Sequence, residues 1–109
     1  MSPLTPAVFH ILLALAGGKR HGYRIAKDVL HQTDGQVRMG PGTLYGTLQR
    51  LLDLDWVSVS QDQGEVDGRR RYYRLTKLGK RALEAEVQRM DALVRVASAA
   101  RIKPPRSTA

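Results

Sequence analysis

Apolar residues recur every three or four positions through the first half of this chain, which is the spacing of amphipathic helices. These stretches are bounded mostly by residues that favour helix ends, namely threonine or proline at the start and glycine after the end. The predicted helices run from Thr5-Pro6 to Gly17-Gly18, from His21 to Asp34-Gly35, and from Pro41 to about Asp53.

Beyond the third helix the pattern changes to a period of two, which indicates strands. Residues 56–60 alternate between apolar and polar, and residues 69–75 alternate again after a turn segment. Asp55 lies where the third helix has to end, and aspartate tolerates the left-handed backbone conformation better than most residues. The positions expected to face inward are Val57, Val59, Tyr73 and Leu75.

A long helix is predicted after Thr76, with apolar positions spaced alternately by four and three. This is the a/d pattern of a coiled-coil seam. Such a helix could fold back on its own domain, but its length and heptad phase favour a partner helix and therefore a homodimer. The predicted dimerisation residues are Leu83, Val87, Met90, Val94 and Ala97.

The composition favours a nucleic-acid partner. The formal net charge is +8, and 13 of the 18 basic residues are arginine, which suits phosphate and guanine contacts. An anionic membrane surface is the second choice, although the apolar run at 8–16 is too short to span a bilayer and is not preceded by a basic segment. The chain is therefore expected to be cytoplasmic.

Catalytic and metal chemistry have little support in the sequence. There are no cysteines, and the three histidines are scattered, so no metal site is expected. Nor do the residues suggest a nucleophile paired with a base, or a phosphate-binding loop. The protein is predicted to be a non-enzyme without a cofactor.

The third helix has two different faces. Leu44, Leu48 and Leu51 fall on one stripe and should face a core. The opposite side carries two glycines, Gly42 and Gly46, which cost about 1 kcal/mol each relative to alanine in a helix interior. Close approach of DNA in a major groove would compensate for that cost.

A basic hairpin follows this helix. Asp67-Gly68 is a turn, and Arg69 and Arg70 come directly after it. The two arginines could blunt a sheet edge, but their crowding without a nearby run of acids favours phosphate binding. A recognition helix followed by a basic hairpin predicts an α+β, mainly α fold: a winged helix-turn-helix with a two-stranded wing and a long C-terminal dimerisation helix.

With these motifs in view, the chain resembles the PadR family of bacterial transcriptional regulators, in its compact branch with a single C-terminal helix. The resemblance spans about residues 6–83. It is carried by His21-Gly22-Tyr23, by Pro41-Gly42-Thr43-Leu44-Tyr45, and by Gly68-Arg69-Arg70-Arg71-Tyr72-Tyr73. It implies a dimeric repressor of transcription that is relieved by a small aromatic effector near Trp56 and Met90.

The resulting expectation is a sequence-specific regulator whose partners are double-stranded DNA, a second copy of the chain and that effector. The alternatives are a basic RNA-binding module and a winged helix that binds protein. The winged domain is expected over residues 1–76, the dimerisation helix over 77–102 and a disordered tail over 103–109. The expected DNA-binding residues are Tyr23, Gly42, Thr43, Tyr45, Gly46, Gln49, Arg50, Arg69 and Arg70.

Overall fold

Four helices and a small antiparallel sheet make up the fold in the computed structural model, which describes residues 3–61 and 71–105. This confirms the mainly helical α+β class expected from the sequence. The elements are α1 (Pro6–Leu15), β1 (Arg20–His21), α2 (Gly22–Gln32), α3 (Pro41–Asp53), β2 (Val57–Gln61), β3 (Arg71–Leu75) and α4 (Lys77–Ala99).

Side-chain caps explain where three of the helices begin. The Thr5 hydroxyl accepts a hydrogen bond from the Val8 N–H at the start of α1, at 3.3 Å. At α4 the Thr76 hydroxyl accepts from the Gly79 N–H at 3.0 Å. At α2 the acceptor is the ring Nδ1 of His21. Each cap satisfies an amide that the helix itself leaves unpaired.

The end of α3 also follows the sequence prediction. Asp55 has a φ of 62°, in the left-handed region, and the chain turns there out of the helix and into β2. The Trp56 N–H then donates to the Leu51 carbonyl at 2.9 Å, which closes the turn.

One hydrophobic core lies where α1, α2, α3 and the sheet meet. Its most deeply buried side chains, each 1% exposed or less, are Ile11, Leu12, Ile25, Val29, Leu48, Leu51 and Val57. Tyr73 of β3 joins this core as expected, and Leu75 packs at its edge. Val59, also expected to face inward, is instead 37% exposed. The core fixes α3 by its leucine stripe, which leaves the opposite side of that helix facing outward.

Among the described residues the sheet has three strands, one more than the two-stranded wing predicted. Arg20 and His21 form β1, which pairs antiparallel with β3, so the order is β1-β3-β2. Tyr72 alternates with the inward-facing Tyr73, yet it is only 9% exposed because β1 lies beside it. The Lys19 ammonium lies 5.5 Å from the centre of the Tyr72 ring, and the His21 ring packs edge-on at 5.7 Å.

A buried ionic group fastens α4 to the N-terminal segment. Glu86 is 5% exposed, and its carboxylate accepts hydrogen bonds from the Arg89 guanidinium at 2.8 and 2.9 Å. It also accepts from the Leu4 N–H at 3.2 Å. The hydrogen bond from Arg89 is the main cause that lowers the pKa of Glu86 below its usual value, against the opposing effect of burial.

Candidate nucleic-acid interface

The outer face of α3 is open along its whole length. Gly42, Thr43, Gly46, Gln49 and Arg50 are all exposed. A β-carbon placed on Gly42 or Gly46 would meet no other atom within 4 Å, so neither glycine is needed for packing inside the folded chain. Since the core is on the other side, the glycines are available for close approach of a second molecule.

An acidic side chain at the end of this face was missed by the sequence analysis. Asp53 is exposed in the last turn of α3, and its carboxylate accepts a hydrogen bond from the Gln49 side-chain amide at 3.1 Å. Residues four apart lie on the same side of a helix, so the i, i+4 spacing could have revealed the pair. The bond uses one N–H of the Gln49 amide and leaves the second N–H and the carbonyl oxygen for other contacts.

Arg50, unlike Gln49, has no acidic partner among the described residues. Within residues 3–61 and 71–105 it forms no ion pair, and its guanidinium projects from an exposed position. An arginine with free donors on an open helix face is suited to a phosphate or to the edge of guanine.

Two exposed tyrosines lie on α2 and α3. Tyr23, in the first turn of α2, is 74% exposed, and its ring lies parallel to that of His21 at 6.3 Å. Tyr45 of α3 is 50% exposed, and one edge of its ring covers Gly22. Tyr45 therefore connects α3, the helix expected to enter the groove, with the start of α2.

The basic groups at the start of α2 are largely paired. The Asp28 carboxylate accepts a hydrogen bond from Arg24 at 2.9 Å and lies 3.4 Å from the Nε of Arg20. On this side of the domain two cations therefore share one acid.

The wing is present, with its strands in the register Val57↔Leu75 to Gln61↔Arg71. Arg69 and Arg70, the two wing residues expected to bind phosphate, lie outside the described residues. Arg71 and Arg74 of β3 are described and exposed. In the described part of the chain, no group of three His, Asp or Glu side chains is placed to hold a metal ion.

The five predicted seam residues of α4 have different surroundings. Leu83 is 6% exposed and belongs to the core of its own domain. Val87 and Val94 are 46% and 49% exposed, whereas Met90 and Ala97 are half-buried. Leu93 and Val96 are exposed further along the same helix.

A groove of about 840 Å³ opens beside Val87, between the end of α1, the end of β3 and α4. Its apolar floor includes Leu15, Leu75 and Leu83, and Lys19, Arg74 and Lys80 line it as well. Trp56 and Met90, the residues expected near an effector, do not line this groove. Trp56 is half-buried against the core.

Comparison with known proteins identifies the family to which this chain belongs. The model of the transcriptional regulator PadR-like family matches residues 11–85. This chain belongs to the PadR-like family. Among its relatives is the transcriptional regulator Rv3488 of Mycobacterium tuberculosis, 39% identical over 79% of this chain and 77% of the relative. A PadR family regulator from Clostridium difficile has a crystal structure that matches with a TM-score of 0.73 at 26% identity, over 86% of this chain and 96% of that one.

A protein of 37.1 kDa from a Streptomyces fradiae transposon is also similar, at 40% identity over 76% of this chain. The chain spans only 22% of that protein's length. Among the residues described here, no helix is both long enough and apolar enough to cross a membrane.

Proposed function

We propose that this PadR-like regulator binds double-stranded DNA sequence-specifically as a homodimer and represses transcription. The observation that carries the proposal is the exposed face of α3, where two glycines have open space above them and Arg50 has no ionic partner among the described residues. A helix with its core-facing stripe fixed and its other face open is suited to the major groove, where base edges can be distinguished.

The open glycine face favours DNA over the alternatives. Side chains cannot reach the bases in the deep, narrow major groove of an RNA helix. An RNA-binding module would therefore not need a helix face with glycines in place of larger side chains. A winged helix that binds only protein would not need a net charge of +8. The wing, with Arg69 and Arg70, is proposed to contact phosphates, which adds affinity without sequence information.

Homodimerisation is supported by the apolar residues of α4. Val87, Leu93, Val94 and Val96 are each between 46% and 67% exposed on one chain. Around a helix these positions cover about half of the circumference, which is wider than the seam of a two-stranded coiled coil. A second copy that packs on this face and in the adjoining groove would remove it from water, and a twofold pair would present two α3 helices to DNA.

Relief of repression by an effector is proposed from the family resemblance. A planar aromatic molecule is proposed to bind near the subunit interface, close to Trp56 and Met90. Titration with planar aromatic cations and phenolic acids, followed by Trp56 fluorescence, tests this. An effector must bind better to the form that does not bind DNA, so absence of any change in DNA affinity would reject it.

The experiment for DNA binding starts with footprinting on the region upstream of the protein's own gene. Fluorescence anisotropy then compares the protected duplex with a scrambled duplex and an RNA duplex of equal length across a salt series. Arg50→Ala is expected to lose more affinity for the protected duplex than for the scrambled one. Arg70→Ala is expected to weaken both alike and to reduce the salt slope by about one. Equal affinity of the wild-type protein for all three duplexes would reject sequence-specific DNA recognition.

A further inference from the structure

Gly22 is buried at the first position of α2, although glycine has no side chain to bury. The group that covers it is the ring of Tyr45 from α3. A β-carbon on Gly22 would lie 2.8 Å from Cζ and 2.9 Å from Cε1 of that ring, and closer still to the hydroxyl oxygen. These separations are too short for any side chain to fit while the ring stays in place.

The backbone does not itself demand glycine at this position. Among the glycines with a left-handed φ are Gly18 and Gly35, and Gly22 is not one of them. An alanine would be accepted at the start of a helix on conformational grounds. With the Tyr45 ring in this position, a side chain at residue 22 would require the ring to shift.

The contact fixes where the Tyr45 hydroxyl lies. One edge of the ring rests on Gly22, and half of the side chain stays exposed. On α3, Tyr45 is three residues after Gly42 and four before Gln49, so it borders the face proposed to enter the groove. A tyrosine held from one side needs less ordering when it binds, because its ring is already in position.

We infer that Gly22 is a positioning residue for DNA binding. Its backbone packs against the Tyr45 ring and holds the hydroxyl where it donates to a DNA phosphate. This inference rests on the proposed function. Gly22 acts through Tyr45 and makes no contact with DNA through a side chain of its own. The pairing joins α2 to α3 at the point where both approach the duplex.

A double-mutant cycle tests this dependence with the full-length chain and the protected duplex identified by footprinting. The variants are Gly22→Ala, Tyr45→Ala, the double variant and Tyr45→Phe. Tyr45→Ala and Tyr45→Phe are each expected to weaken binding about tenfold, as for a lost hydrogen bond to a charged group. Gly22→Ala is expected to weaken binding to a similar degree, because the added methyl group displaces the ring. In the Tyr45→Ala background, Gly22→Ala is expected to have no further effect.

The folded structure is followed separately. Circular dichroism should show that all four variants fold, and proton NMR should show a cross-peak between the Gly22 α-protons and the Tyr45 ring only in the wild type and Tyr45→Phe. Four results would overturn the inference: wild-type affinity in Gly22→Ala, wild-type affinity in Tyr45→Phe, the same loss from Gly22→Ala with and without Tyr45, or no cross-peak. A wild-type protein that does not bind duplex DNA would overturn the proposed function as well.

Discussion

Gly79, in the first turn of α4, lies directly against the backbone of Trp56. A β-carbon on Gly79 would be 2.8 Å from the carbonyl carbon of Trp56 and in collision with its oxygen. Two hydrogen bonds from Thr76 hold the same junction: its N–H donates to the Trp56 carbonyl at 3.1 Å, and its hydroxyl donates to the Asp55 carbonyl at 2.6 Å. The direction in which α4 leaves the winged domain is therefore set by backbone contacts.

Gly79→Ala is expected to destabilise the protein by about 1–3 kcal/mol, because a backbone neighbour has to move to admit the methyl group. Helix propensity alone predicts the opposite sign, a gain of about 1 kcal/mol. Gly46→Ala is the matched control, since a β-carbon there meets nothing within 4 Å. Urea denaturation should show a loss for Gly79→Ala and a gain for Gly46→Ala, and equal stabilisation of both would contradict the close approach.

Stability should decline in acid in part because of Glu86. The Arg89 hydrogen bond lowers the pKa of this carboxyl in the folded chain. Its contribution is complete above the pKa of an unfolded glutamate, about 4.3, and is lost as the pH falls through the lower folded value. Glu86→Gln should therefore be less stable at pH 7 and lose less stability than the wild type on acidification. Thermal unfolding between pH 7 and pH 3 measures this, with Glu84→Gln on the exposed side of α4 as the control.

Gly46→Leu separates folding from DNA binding. The site is open in the folded protein, and leucine is a better helix former than glycine, so thermal stability should stay the same or rise. The larger side chain should hold α3 away from the base edges and weaken operator binding about tenfold or more. Anisotropy on the protected duplex measures the loss. Wild-type affinity in this variant would show that α3 does not approach DNA by this face.

Asp53→Asn should strengthen DNA binding by about threefold to fivefold at low salt. It removes a negative charge from the exposed face of α3 and weakens the hold on the Gln49 amide. Asp91→Asn, on α4, is the control: it makes the same change in net charge at a residue already paired with Arg95. Equal gains from both variants would mean that only net charge matters, and would leave no role for Asp53 at the interface.

Val87→Asp with Val94→Asp should shift the protein from dimer toward monomer. Both valines are about half exposed on one chain, so they can be replaced without disrupting the domain core, whereas a partner would bury the new charges at high cost. Ala92→Asp, an exposed site on the other side of α4, controls for the effect of aspartate on the helix. Sedimentation velocity at micromolar concentration is the measurement. A wild-type monomer there would contradict the homodimer.

Some features of α4 could not be predicted from its heptad pattern. Leu83 fits the seam as well as Val87 does, yet it is buried in its own domain, and periodicity does not say which surface covers an apolar residue. Glutamate is usually exposed to solvent, but Glu86 is buried because Leu4 and Arg89 converge on it. Both outcomes depend on how α4 packs against α1 and the segment before it. Leu4 and Glu86 are 82 positions apart in the sequence.

The sequence by itself determined where the helices begin, where α3 ends, the strand pair of the wing, the left-handed turn at Asp55 and the outward side of α3. These features depend on caps, turn residues and apolar spacing within a few positions, where local sterics and hydrogen bonds decide the outcome. Only the tertiary structure decided the third strand, the burial of Tyr72 and the contacts of Gly22 with Tyr45 and of Gly79 with Trp56. A two-residue strand has no period to detect, and close approach between distant segments depends on packing that no local pattern encodes.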